Sequence, residues 1–418
     1  MHPNALVKMK VLIIGCGEQG ATIARYLIEK PDVDEVRLAD IDLKRADTLV
    51  KSLKSSKASS HRVDAGNIKE MLTVAEGVDL IVNAVLPRFD LLIMKVALKS
   101  KANYIDMASG PPYVTDEQLG QNEKWKKAGL TALINTGISP GITNVLIARA
   151  ADQLDSVEEV LLRTAVKILP GTKVYEGKEL ILETWSPETL WRDYIEPPVI
   201  FENGKRKTAP VFSGEEVYPF PDPIGPCTVV YHVHEEIFTL PYFIKGLKKV
   251  NMKVGWQPTL FIAKALTELG LFSEKPIEVD GVKVAPRKLF FKLTKSIPTT
   301  DELVKKIDAG VVLETVMTDV IEVKGEKAGV EITFKYLHAT PRMTLREGYK
   351  KYGRSFLERP GIVGTSCAIF TYMLGSGRMK TKGVVPPEGL AREERDAFLK
   401  ELTERGFVYK EIVERNLS

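Results

Sequence analysis

Residues 11–20 read VLIIGCGEQG, an apolar run that enters a GxGxxG turn with nothing between. Few chains can use such a stretch in more than one way. VLII has the length and composition of a buried strand, and from Ala21 onward Ile23, Ala24, Leu27 and Ile28 share one face of a helix. Strand, glycine turn and helix in immediate succession form the phosphate-binding unit of a dinucleotide fold. Gly15 permits the tight turn, Gly17 lets backbone approach a pyrophosphate, and Gly20 lets helix and strand pack closely. Glu18 and Gln19 complete the turn, where the helix offers its free N–H groups and positive end to phosphate.

The next strand, EVRLAD, ends at Asp40, twenty residues after Gly20, where a carboxylate meets the ribose hydroxyls. A carboxylate there repels the phosphate of NADP and favours NAD, with NADP not excluded because Lys44 and Arg45 follow closely. Asp64 is placed at the end of the third strand, facing adenine. Asn83, Ala84, Leu86 and Pro87 follow the fourth, where the nicotinamide half belongs.

Short apolar runs and amphipathic stretches alternate through residues 9–136, with further strands read at 79–85, 102–108 and 130–137. That rhythm implies a parallel sheet covered on both faces. After a helix at 142–154 it changes. Strands are read at 157–168, 227–234, 247–255, 310–323 and 328–338, with helices near 258–271 and 300–308. A polar excursion rich in Pro and Gly fills 170–226. The fold class is α/β: a Rossmann domain plus an α+β second domain with a mixed or antiparallel sheet.

At 418 residues the chain exceeds one core's worth, and its net charge of +4 is nearly balanced. Basic residues are interspersed with acidic ones, so nucleic acid is not an expected partner. Three cysteines, far apart and without a CxxC pair, support neither a disulfide framework nor a zinc site and suit a reducing cytoplasm. The N-terminal apolar run is too short for a signal peptide, and no segment reaches the ~18–20 apolar residues of a membrane span. A soluble cytoplasmic protein is expected.

Several segments together resemble the saccharopine dehydrogenase-like family, which includes saccharopine reductases, lysine 6-dehydrogenases and carboxynorspermidine dehydrogenases. They are MKVLIIGCGEQG, LIVNAVLP, NYIDMA, NTGISPGITN, VKGEKAGVE and the region from ETWSPE through YHVHEE to TLP. The second half looks most like the lysine 6-dehydrogenase branch. The resemblance implies NAD(P)-linked hydride transfer at a carbon bearing nitrogen, on an amino-acid or amine substrate. It also implies a homodimer or higher oligomer built through the second domain. With it the chain divides into a Rossmann domain (1–140), a substrate and dimerisation domain (141–355) and a helical segment returning to the Rossmann domain (356–418). One departure stands out: saccharopine reductases carry GLDPGIDH where this chain has GISPGITN, with Ser139 and Asn144 in place of the acid and the histidine. Oxidation of L-lysine at its ε-amine is the leading expectation, reductive condensation of an amine with an aldehyde or keto acid the alternative, and a non-catalytic NAD-binding protein the third.

Amine oxidation needs a nearby proton acceptor, and His suits neutral pH best. Two of the five histidines, His232 and His234, lie in VVYHVHEEIFTLP. On a strand through 229–235 they share a face, with Glu235 on the other. His2, His61 and His338 offer no metal spacing, so no metal is expected; packing and a substrate-facing role both stay open for the pair. Tyr104, near the fifth strand's end, is either an active-site hydroxyl or a core aromatic. Arg88 is placed to clamp a substrate carboxylate, or is a solvated surface group. Asp106, Glu183, Trp185 and Thr239 complete the candidate substrate contacts.

Overall fold

The computed structural model describes residues 8–110, 112–169, 187–256, 259–293, 299–312, 314–338, 343–354 and 361–415. Glu183 and Trp185 lie outside them. The chain forms two compact units, one of residues 1–157, 238–246 and 360–408, the other of 158–237, 247–359 and 409–418.

The first unit begins with β1 (Met9–Ile14), β2 (Val33–Asp40), β3 (Ala58–Arg62), β4 (Leu80–Asn83), β5 (Asn103–Asp106) and β6 (Thr131–Leu133). The second contributes β7 (Ser156–Ile168), β8 (Val199–Glu202), β9 (Lys205–Thr208), β10 (Glu216–Pro219), β11 (Pro226–Tyr231), β12 (Lys249–Trp256), the hairpin β13 (Ile277–Val279) and β14 (Val282–Val284), β15 (Thr315–Lys327) and β16 (Val330–His338). The chain then adds β17 (Gly383–Val385) to the first sheet and β18 (Tyr409–Arg415) to the second.

The first sheet runs β17-β6-β5-β4-β1-β2-β3, parallel throughout. Its β3 to β6 portion has the Rossmann order, which places ligands beyond the C-terminal ends of the strands. Buried-on-both-faces strands account for the unbroken apolar runs: Val11, Leu12, Ile13 and Ile14 are all essentially inaccessible. The covering helices start on identifiable signals. Asp42 accepts the Lys44 N–H at 3.0 Å before the helix Leu43–Leu53, and Asn67 accepts that of Lys69 at 3.1 Å before the helix Ile68–Val74. The helix Ile362–Gly375 packs on the helix Glu18–Ile28, with Gly364 close enough that a Cβ would meet Thr22 at 2.8 Å.

The second sheet is mixed: β12 is parallel to β7, while β11 is antiparallel to β12, β15 to β16 and β16 to β18. Four expectations change here. The described part of the 170–226 excursion holds the helix Pro187–Ile195 and three strands, because turn residues punctuate elements too short for a periodic signal. The strand expected over 227–234 stops at Tyr231. The boundary expected near residue 140 falls at 157/158, since the helix Ile142–Ala151 clusters with the first unit. The segment after 356 ends in strand β18, where β-favouring Tyr409, Ile412 and Val413 pair with β16 and Tyr409 lies on the His338 ring at 4.4 Å. No helix among the described residues is long and apolar enough to cross a membrane.

Candidate active site

In the first unit the glycine turn is fixed by backbone alone. Gly15 has φ +107°, and a Cβ there would meet the Ala84 carbonyl oxygen at 2.5 Å. A Cβ on Gly20 would collide with the Gly15 carbonyl, whereas Gly17 has nothing within 4 Å of where its Cβ would stand. The Gly15 N–H donates to Ala39 O (2.7 Å) and the Ala84 N–H to Ile14 O (2.8 Å), tying the turn to both neighbouring strands. Open space over Gly17, combined with the first N–H groups of the helix Glu18–Ile28, fits a dinucleotide pyrophosphate. Glu18 is exposed beside this space and Gln19 is half-buried against Gly364.

Asp40 is 7% exposed, and its two oxygens accept the Cys16 N–H and the Asp42 N–H, each at 2.9 Å. It therefore braces the glycine turn, and each oxygen keeps a lone pair for a ribose hydroxyl. Arg45 stands 3.8 Å away. Asp64 accepts the Gly66 N–H at 2.8 Å in the turn that follows β3.

Beyond β4 the polar side chains turn inward. Asn83 is 2% exposed; its amide donates to Asp90 (2.6 Å) and to the Tyr104 hydroxyl (3.3 Å), and its oxygen accepts the Val85 N–H (3.1 Å). Its side chain holds the Ala84–Pro87 loop, leaving Ala84 and Leu86 half-buried at the sheet edge and Pro87 against Gly110. Expected as a cofactor contact, Asn83 acts instead as the staple beneath that loop.

Tyr104 and Asp106 are likewise buried, and for Tyr104 the core-aromatic reading is the one the packing matches. Tyr104 is fully buried against Trp125, and burial together with Asp106 and Asp90 pushes its hydroxyl well above the usual tyrosine range. Asp106 is 1% exposed and accepts from Gln118 Nε2 (2.8 Å) and from the Asn135 N–H (2.7 Å). Both belong to the core because a parallel sheet buries even its strand ends. Thr239 is also fully buried: Asn144 Nδ2 donates to it at 3.5 Å and to Glu388 at 3.0 Å, inside the first unit. Arg88 remains exposed, with its guanidinium over the Phe89 ring.

In the second unit, residues 232–234 leave the strand, so alternation no longer governs them. The His232 N–H donates to Met252 O at 3.0 Å, and its ring meets Tyr194 edge-on at 5.2 Å. Burial, reinforced by His234, holds its pKa down at about 3, so the ring is neutral. His234 is the opposite. Its Nδ1 bonds directly to the fully buried Glu236 carboxylate and lies 3.7 Å from Glu235. Burial acts to lower its pKa, but Glu236, Glu235 and Asp193 outweigh it and raise it to about 9. Asp193, on the helix Pro187–Ile195, is itself pushed up to about 7 by burial against the pull of Arg192.

Asp193 and Glu236 are the two members that sequence reasoning missed. The first fell in the supposed excursion, although WRDYIE is an amphipathic helical stretch. The second lies in VVYHVHEEIFTLP, directly behind the histidines. Among the described residues, His234, Glu235 and Glu236 also have donor atoms within 4.8 Å of one another; direct ion pairing accounts for that spacing.

These sites can now be set beside known proteins. Residues 11–133 match the saccharopine dehydrogenase NADP binding domain and residues 137–407 the saccharopine dehydrogenase C-terminal domain. The chain belongs to the saccharopine dehydrogenase family and is an NAD(P)-dependent dehydrogenase acting at C–N bonds. It is 24% identical over 414 residues to carboxyaminopropylagmatine dehydrogenase of Synechocystis, covering 97% of this chain and 98% of that one. It is 25% identical over 304 residues to carboxynorspermidine synthase of Vibrio cholerae, covering 66% and 70%. Saccharopine dehydrogenase (L-Glu forming) of Saccharomyces cerevisiae shares the fold, with TM-score 0.68 and 17% identity over 98% of this chain and 100% of that one.

Proposed function

We propose that the protein reductively joins an amine to an aldehyde or keto acid, giving a carboxylated secondary amine, and runs the reverse reaction. The observation that carries this reading is the end-to-end likeness to an enzyme whose name denotes agmatine bearing a carboxyaminopropyl group. L-Lysine oxidation, the leading expectation from sequence, has no comparable support. The chemistry around His234 agrees with imine formation: Glu236, Glu235 and Asp193 hold the ring protonated, so it can supply the proton that dehydration of a carbinolamine needs.

Bound at the glycine turn, the dinucleotide supplies hydride for condensation and accepts it in the reverse direction. Asp40 favours NAD over NADP, since a carboxylate that ends the second strand of a Rossmann sheet takes ribose hydroxyls and repels an added phosphate. His234 handles the proton. In condensation, amine and carbonyl first add to give a carbinolamine. A proton from His234 then goes to its hydroxyl oxygen, the C–O bond breaks to release water, and the nitrogen lone pair forms the C=N bond. Hydride addition to that carbon gives the secondary amine. His232, neutral and enclosed, supports the loop.

The test is NADH and NADPH consumption with a panel of amines, including agmatine and short diamines, and of amino-acid semialdehydes and keto acids. Turnover is expected only when both partners are present. NADH formation from NAD and lysine alone would replace this reading with lysine oxidation.

A further inference from the structure

A single histidine can bond a substrate through either ring nitrogen, and its tautomer decides which one carries a proton. Here that choice is removed. His234 Nδ1 is engaged by Glu236, which is fully buried at the first turn of the helix Glu236–Phe243 and has no route to solvent. Glu235, 3.7 Å from the same nitrogen, adds charge on that side. The His234 side chain as a whole is still 16% exposed while its Nδ1 is engaged.

We propose that Glu236 is the positioning residue of the reaction: it holds His234 through Nδ1 and leaves Nε2 as the one ring nitrogen that exchanges a proton with substrate. This rests on the assignment of His234 as the proton-handling group made above. A carboxylate that accepts the Nδ1–H fixes the tautomer, orients the ring and stabilises the imidazolium between turnovers. The proton that reaches the carbinolamine oxygen leaves Nε2; the Nδ1 proton stays with Glu236. Reprotonation from solvent at Nε2 completes the cycle.

Other charges face the ring from the packed elements. Asp193 on the helix Pro187–Ile195 reinforces the imidazolium, and Arg192, 3.6 Å from Asp193, favours the ionised form of that carboxyl. His232 lies 6.4 Å away, ring to ring, and stays neutral. Glu236 differs from Asp193 and Glu235 in making the direct bond.

Two experiments on the full chain separate this role from mere packing. The first is the pH profile of kcat/KM for condensation in wild type and in Glu236→Gln, with dinucleotide Kd measured in parallel. Wild type should lose activity on the alkaline side near pH 9. In Glu236→Gln that limb should move at least one pH unit lower and kcat at pH 8 should fall ~10-fold or more, with dinucleotide Kd unchanged. An alkaline limb that stays in place overturns the proposal. Glu236→Asp, which shortens the arm but keeps the charge, should restore the limb more than the rate.

The second needs no variant. In wild-type protein carrying 15N-labelled histidine, the ring-nitrogen shifts should show one histidine with a strongly hydrogen-bonded, protonated Nδ1 that keeps its charge to about pH 9. Titration of every histidine at pH 7 or below overturns the proposal even if Glu236→Gln does not fold. This readout requires no substrate. Failure of every amine–carbonyl pair to turn over would remove the function proposed above and leave the dyad standing or falling on the titration alone.

Discussion

The glycine turn of the first unit and the His234 cluster of the second are built from opposite materials. At the cofactor end the working atoms are backbone N–H groups and the space left by missing side chains, and Gly15, Gly17 and Gly20 matter for what they lack. At the proposed substrate site the groups are charged side chains from two segments, Asp193 on one and His234, Glu235 and Glu236 on the other. The first should fail when an atom is added, the second when a charge is removed.

The largest effect is expected from His234→Gln. Loss of a general acid costs typically ~10²-fold or more in rate, while dinucleotide Kd should not change because no glycine-turn contact is touched. Steady-state kinetics with a binding titration decide it. A kcat within ~3-fold of wild type would remove His234 from the chemistry and erase the contrast between the ends.

Next comes Gly20→Ala. Its Cβ collides with backbone, which cannot rotate away as a side chain would. Overpacking of this kind costs about 1–3 kcal/mol, so dinucleotide affinity should fall ~10–10²-fold. Gly17→Ala is the sharpener: it has free space around it, so fold stability should hold and only binding should weaken. Equal thermal destabilisation by both substitutions would show that the turn is not specialised as described.

The cofactor end was legible in sequence because its logic is local. Gly15 to Gly20 and then Asp40 report on consecutive backbone, and a strand–turn–helix context reads directly from periodicity. Asn83, Tyr104, Asp106 and Thr239 are hard to read for a shared reason. A polar residue at the end of a buried strand is as readily a staple for the loop beside it as a ligand contact, and only three-dimensional partners separate the two. The substrate end was half legible. The histidines were conspicuous, but assigning them to one strand face assumed that β11 continued past Tyr231. Asp193 comes from a helix hidden among turn residues, so its convergence on His234 could not be read along the chain.

His232→Ala tests the division of labour between the two histidines. A buried ring packed against Tyr194 leaves a cavity when removed, costing about 2–4 kcal/mol of stability, yet kcat should change less than ~5-fold, since general acid–base loss would give far more. Denaturant unfolding alongside kinetics reads both. A rate loss matching that of His234→Gln would make the pair a joint device.

The smallest expected effect is on stability against pH, and its sign distinguishes the members of the cluster. A group whose folded pKa is raised contributes stability that is complete below its unfolded pKa and fades as pH rises through the folded value. For His234 that window runs from ~6.5 to about 9. Asp193, raised to about 7, also loses stability with rising pH, and it is half titrated at pH 7, so its remaining loss falls below about pH 8. His232, lowered to about 3, acts with the opposite sign and only on the acid side of ~6.5. Between pH 8 and 9 His234 is therefore the member of this trio still titrating. The shift sets a ceiling of about 3 kcal/mol; water contact and coupling to the carboxylates reduce it to about 1 kcal/mol. The urea midpoint should fall from pH 7 to pH 9 in wild type and fall less in His234→Gln. The same fall in both would mean that the imidazolium is not held by its carboxylates, and the substrate end would lose the charge that sets it apart from the glycine turn.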